Sequence, residues 1–255
     1  MATYKKRGFK PKNKAEERAL NEQSSTTAEV FSTLDESASR SEQWVARNQN
    51  YILGVIGVIA VSVLGYLAYN QFILKPKVLS AANEMFYPQQ YFDQALNSPA
   101  QRDSLYNLAL NGAEGKYGFL DIIDEYRGTP AANLGNYYAG MVYLQMQQYD
   151  EAIRYLEQFS TSEPMTGPLA LGGIGDAFMQ LGQPSEALEY YEKAIAHNTN
   201  DYTTPRFLYK AGVTAMELDQ KSKALQYFQR VKDEFPKSQE AQTIDVFIGM
   251  AKSGS

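Results

Sequence analysis

Apolar and polar positions divide the chain into three stretches. Over residues 1–25 almost every position is polar, basic at first and then mixed. Such a composition buries too little apolar surface to fold and predicts a disordered tail. Over 26–50, Val30, Leu34, Ala38, Ser41 and Val45 share one helical face with Phe31 beside it. Thr26 or Thr27 is placed to cap this helix and Glu29 gives it an acidic first turn. It is a weakly amphipathic juxtamembrane helix, and three roles stand open for it: lying on a membrane, touching a partner, or leading solvated into the next element. Between Arg47 and Lys75 there are then 27 positions without a charge. From residue 78 onward apolar residues return at helical spacing, strand-like alternation is scarce, and the chain reads as all-α.

The uncharged stretch predicts a transmembrane helix over 51–73. Its 22-residue core, 51–72, extends roughly 33 Å as a helix, against a hydrocarbon thickness of ~30 Å. Trp44, Tyr51, Tyr66 and Tyr69 stand near its ends, where interfacial aromatics concentrate. A cleaved signal has a short basic leader and 7–15 apolar residues. Here fifty residues precede the run, and Lys75, Pro76 and Lys77 separate it from the small residues Ser80, Ala81 and Ala82. Lys5, Lys6, Arg7, Lys10, Lys12, Lys14 and Arg18 on the N-terminal side predict that the N-terminus is cytoplasmic, although the near flanks, Arg40 and Arg47 against Lys75 and Lys77, are even. Gly54, Gly57 and Gly65 are small positions in the span at which a second helix can approach, but no G-x-x-x-G is present.

Three segments beyond residue 130 superpose: "YYAGMVYLQMQQYDEAIRYLEQFSTSEP", "GGIGDAFMQLGQPSEALEYYEKAIAHNT" and "LYKAGVTAMELDQKSKALQYFQRVKDEFP". Their aligned alanines, Ala152, Ala187 and Ala224, are 35 and 37 residues apart. The pattern resembles the tetratricopeptide repeat, a helix–turn–helix unit of about 34 residues, and implies three repeats over 133–238. Gly140, Gly175 and Gly212 on the first helices and Ala152, Ala187 and Ala224 on the second helices are the expected close-packing positions. Leu156, Tyr191 and Phe228 are expected as plugs between neighbouring repeats, and Pro164 and Pro236 as the ends of second helices. Thr199 stands at the corresponding place in repeat two, and the early tryptophan of the family is absent throughout. Residues 78–132 form a helical lead-in with a degenerate repeat, in which Phe119, Ile122, Ile123 and Tyr126 share a face. Pro88 interrupts or restarts a helix there, and Asn111-Gly112 stops another. Residues 239–255 supply a C-terminal capping helix with Ile244, Phe247 and Ile248 turned inward.

Composition narrows the chemistry. The chain has no cysteine and one histidine, which removes thiolate nucleophiles, thiolate zinc sites and two-histidine mechanisms. Residues 1–50 carry nine Lys/Arg and seven Asp/Glu, and the rest carry 15 and 22, so the repeat region is acidic. No basic face for nucleic acid is present. "GAEGKY" lacks the spacing of a phosphate loop, and "GGIGDA" follows no strand. His197 is expected to be an exposed loop residue, and Asp121, Asp124 and Glu125 a solvated helix face. No enzyme activity, cofactor or metal is expected.

In tetratricopeptide repeats the first helices line a groove. Carried over, the groove positions are Leu134, Tyr137, Met141 and Leu144; Leu169, Asp176 and Met179; and Arg206, Tyr209, Val213 and Met216. This is an apolar, methionine-rich strip able to adapt to varied apolar partners. The lysine/asparagine clamp for a terminal carboxylate is not evident. Either a partner or the chain's own helices, residues 79–96 or the cap, fill the strip.

The anchor followed by repeats, and above all "FLDIIDEYRGTPAANLGNYYAGMVYLQMQQYDEAI", is similar to the ancillary Sec-translocon subunit family (YfgM-like), over roughly residues 25–250. The resemblance implies an inner-membrane protein with one span, a cytoplasmic N-terminus and a periplasmic repeat domain. It further implies partnership with the SecYEG translocon and a membrane-anchored periplasmic prolyl isomerase chaperone, acting on nascent secreted or membrane proteins beside the lipid bilayer. The tail is longer than is usual in that family. Two other assignments fit the same layout: a scaffold for another envelope assembly, and a mitochondrial outer-membrane receptor.

Overall fold

The computed structural model describes residues 14–253. The expected tail over 1–13 and the end of the cap, 254–255, lie outside the described residues. The chain forms two compact units, Met1–Asn70 and Gln71–Ser255.

Among its described residues the first unit is built on one helix, α1, Lys14–Tyr69. The reading above divides this stretch into a tail to residue 25, a helix over 26–50 and a span over 51–73. The backbone runs helical from Lys14 through all three. No glycine or proline interrupts residues 12–53, and Ala, Glu, Arg, Leu and Gln favour helix without any burial, so positions 26 and 27 fall inside the helix and not at its start. From Leu53 onward its large apolar side chains are exposed, Val61 at 71% and Leu64 at 65%. The helix is long and apolar enough to cross a membrane. Gly54, Gly57 and Gly65 have open space where a Cβ would stand. Ser62, the polar residue of the run, donates its hydroxyl to the Val58 carbonyl at 2.8 Å and so needs no outside partner. The α-helix stops at Tyr69, and a wider π-turn spans Asn70–Leu74. The physical reason lies in Pro76, which lacks an N–H and whose ring crowds the carbonyl four residues back.

The second unit begins with α2, Lys75–Glu84, and α3, Phe86–Asn97. The helix restarts at Phe86, which leaves Pro88 in the first turn, where its missing N–H costs nothing. After a 3₁₀ turn come α4, Arg102–Asn111, and α5, Phe119–Glu125. Gly112 ends α4 at φ 71°, and the "GAEGKY" stretch closes into a tight turn bridged at Ala113 and Lys116. Met85, Ala95, Tyr106, Leu110, Phe119 and Ile122 make a buried core that continues into Ala139 and Val142, with Phe119 stacked on Tyr138 at 5.0 Å.

Three helix pairs follow: α6, Pro130–Gln145, with α7, Tyr149–Gln158; α8, Thr166–Gln180, with α9, Pro184–His197; and α10, Thr203–Glu217, with α11, Lys221–Glu234. Each packs mainly on its sequence neighbours, as a solenoid does. The turns within the pairs share one geometry. Gln147, Gly182 and Asp219 take left-handed φ values of 61°, 71° and 56°, and the following amide reaches back to Tyr143, Phe178 and Ala215 respectively. These are Schellman ends. A Cβ on Gly140 would lie 2.5 Å from Leu156, one on Gly175 2.6 Å from Tyr191, and one on Gly212 2.3 Å from Phe228. The large residues seat on the glycine of their own repeat and also reach the following element, Leu156 lying against Gly173, Tyr191 stacking on Phe207 and Phe228 meeting Phe247. Ala152, Ala187 and Ala224 are fully buried. Pro130 and Pro184 open helices, as first residues of α6 and α9; of the two prolines expected to end second helices, Pro236 directly follows the Phe235 cap of α11, whereas α7 stops at Gln158, well before Pro164. After a 3₁₀ turn, α12, Ile244–Ser253, packs Ile244, Ile248 and Ala251 against α11.

Candidate functional site: the groove of the first helices

The predicted groove residues lie on α6, α8 and α10. Leu134, Tyr137, Met141, Leu144, Leu169, Met179, Tyr209, Val213 and Met216 are half-buried, and Arg206 is exposed. Leu144, Met179, Tyr209 and Val213 come together around a cavity of about 570 Å³. Upstream, Leu134 packs onto the lead-in core, and Tyr137 and Met141 onto Leu156, Ala170 and Ile174. Downstream, Phe247 of α12 meets Tyr209 edge-on at 5.0 Å. The strip is thus partly covered at both ends by the chain's own helices, with the cavity between.

The cavity is less apolar than the periodicity implies. Asp176 and Lys210 face each other across it, with Nζ 2.5 and 2.6 Å from the two carboxylate oxygens, and each side chain is 27% exposed. Tyr191 donates its hydroxyl to Asp176 Oδ1 at 2.7 Å. Burial, followed by the Asp176 charge, pushes the Tyr191 phenol well above its ordinary range, so it remains a donor. Thr214 donates to the Lys210 carbonyl at 2.9 Å and lies 3.5 Å from Met179 Sδ. Gln145, Gln147, Tyr149 and Gln180 complete the lining. Of this polar set only Asp176 stands among the sequence-derived groove positions. The signal for the rest was present: Asp176 is the one charged residue of α8, and Lys210 follows it by 34 residues, one repeat length.

"GGIGDA" is accounted for by packing. Phe207 lies against Gly172, Leu156 against Gly173 and Tyr191 against Gly175. His197 is the last residue of α9 and not part of a loop. Its Nε2 is 2.9 Å from the Thr161 carbonyl, and its ring fills the space a Gly167 side chain would occupy. Asn200 likewise reaches the Pro164 carbonyl at 3.0 Å, and Asn133 pairs with both backbone groups of Ser160 at 2.8 and 3.0 Å. The His197 and Asn200 contacts latch the end of the second repeat to the segment after the first, and Asn133 ties the first repeat to its own end. Among the described residues no group of three or more His, Asp or Glu side chains is placed to hold a metal. The ion pair in the cavity cancels its own charges, and two hydrogen bonds hold the Lys210 ammonium to Asp176.

Residues 137–196 and 173–238 match the tetratricopeptide repeat model, together less than half of the chain. No curated protein matches the chain. The molecule is an all-α chain in which a long N-terminal apolar helix precedes stacked helix pairs carrying tetratricopeptide repeats.

Proposed function

We propose that this chain is a membrane-tethered protein-interaction module, an accessory subunit of the Sec translocon. With a membrane-anchored periplasmic prolyl isomerase chaperone it assists newly translocated proteins. The observation that carries the interaction role is the cavity between α6, α8 and α10, lined by Leu144, Met179, Tyr209 and Val213. Repeat domains of this kind act by binding other polypeptides along such surfaces, and the cavity is wide enough for the side chains of a passing segment. The Sec assignment is supported by the resemblance of residues 25–250 to the ancillary translocon subunits. The single long apolar helix ahead of the repeats suits a protein that works beside a membrane channel. In this reading the span holds the groove near the exit of translocated chains.

Purification of the full chain in mild detergent tests the assignment. SecYEG and a prolyl isomerase should copurify. Recovery of a different envelope assembly in their place would transfer the chain to the scaffold reading.

A further inference from the structure

Lys210 and Arg206 lie one turn apart on α10, and the sequence treats them differently. Lys210 is neutralised by Asp176. Arg206 is exposed, and no carboxylate among the described residues lies within ion-pairing distance of its guanidinium. It sits in the opening turns of α10, a helix with no acidic residue in its first turn, so the positive end of the helix dipole reinforces its charge. Burial raises the phenols of Tyr137 on α6 and Tyr191 on α9, and the Arg206 charge works against that rise at both. Arg206 does not itself line the cavity, but it shares a face of α10 with Tyr209, Lys210 and Val213, which do, three, four and seven residues further on. Around it the repeat region is acidic. A positive point on the apolar strip of a negative domain is electrostatically distinctive, and complementarity of this kind selects partners more than it adds affinity.

We propose that Arg206 is a specificity anchor of the groove, pairing with an aspartate or glutamate side chain carried within an otherwise apolar segment of the partner. The proposal rests on the groove reading above. A side-chain carboxylate fits better than a chain terminus. A terminal carboxylate calls for several convergent donors, and Lys210, one turn further along α10, is held by Asp176 at 2.5 and 2.6 Å. The predicted groove face also runs on from Arg206 along α10 through Tyr209, Val213 and Met216, so a segment passes on and does not end there. Asp176 then acts as a guard: it occupies Lys210 and leaves Arg206 to read the acid.

The test uses the full chain in detergent and three acetylated, amidated dodecapeptides of leucine, serine and glutamine that differ only at a central glutamate, glutamine or lysine. Fluorescence anisotropy should show the glutamate peptide binding about three- to fivefold tighter than the glutamine peptide, the range of an exposed ion pair, with the advantage shrinking as salt rises. In Arg206→Gln the advantage should vanish, and in Arg206→Glu the lysine peptide should become the preferred one. Both variants should keep wild-type helicity and melting temperature, because the side chain is exposed. Equal binding of the glutamate and glutamine peptides to the wild type would overturn the Arg206 assignment while leaving the groove intact. No binding of any of the three would overturn the groove reading and this proposal together.

Discussion

At Gly212 the space for a side chain is already taken: an added Cβ would lie 2.3 Å from a Phe228 ring carbon, and Phe228 is fully buried. The ring cannot swing away without opening the core of the third repeat, so Gly212→Ala is an overpacking change. It should cost about 1–3 kcal/mol in urea denaturation, although alanine is the better helix former. Pairing it with Phe228→Leu should recover part of the loss, because the two sites share one contact. Full additivity of the two changes would refute this account. The recurrence of Gly140, Gly175 and Gly212 was legible in the sequence, since three small residues one repeat apart point to close helix crossings. The residues that fill the crossings, Leu156, Tyr191 and Phe228, could be named from the same register, but not that each bears on its own glycine and on the next element at once, because periodicity gives a residue's face and not its contacts. Lys210 was missed for a related reason. A lysine in an amphipathic helix looks solvated until the carboxylate one repeat earlier is placed opposite it.

Between helices the second elements of the pairs are tied by a recurring device. Tyr190, three residues after Ala187, donates to Glu157 at 2.6 Å; that glutamate stands five residues after Ala152 of the preceding repeat. Tyr227, three after Ala224, bonds in the same way to Glu192, five after Ala187, and Lys223 joins that carboxylate. Glu192 is partly desolvated, which would raise it, but the bonds from Lys223 and Tyr227 prevail and hold its carboxyl below the ordinary range. At Tyr190, burial first and then the bond to Glu157 push the phenol up to about 12 from 10.0. A raised folded-state value gives stability that is complete below the unfolded value and is lost as pH rises through the folded one. The wild type should therefore lose stability between about pH 10 and 12 in a way that Tyr190→Phe does not. At pH 7 the same substitution should cost only about 0.5–1 kcal/mol, because the pair is exposed. Parallel alkaline denaturation curves for the two proteins would count against the tie. The helix pairs and the cap were readable from 3.6-residue periodicity. The ties were not, because they join positions a whole repeat apart. The division at residue 25 also misjudged the N-terminal stretch, since it asked what the chain could bury while α1 follows helical propensity.

At the scale of the molecule, the proposed orientation depends on where positive charge is distributed about one span. Seven Lys/Arg stand between Lys5 and Arg18 and two more at Arg40 and Arg47, whereas only Lys75 and Lys77 follow the apolar run closely. Basic residues resist translocation, and the bias counts over short segments near the span. The tail should thus stay cytoplasmic and carry the acidic repeat region to the other side. A phosphatase that folds only in an oxidising compartment, fused after Ser255, should be active, and the membrane should retain the fusion through an alkaline carbonate wash. Near flanks that are even, Arg40 and Arg47 against Lys75 and Lys77, leave the decision to the distant tail charges. Replacing Lys5, Lys6, Arg7, Lys10, Lys12, Lys14 and Arg18 by glutamine should therefore lower phosphatase activity per molecule by producing a population inserted the other way. Unchanged activity in that variant would show that the near flanks and the passenger domain set the topology without the tail, and an inactive wild-type fusion would reverse the orientation and remove the periplasmic role with it.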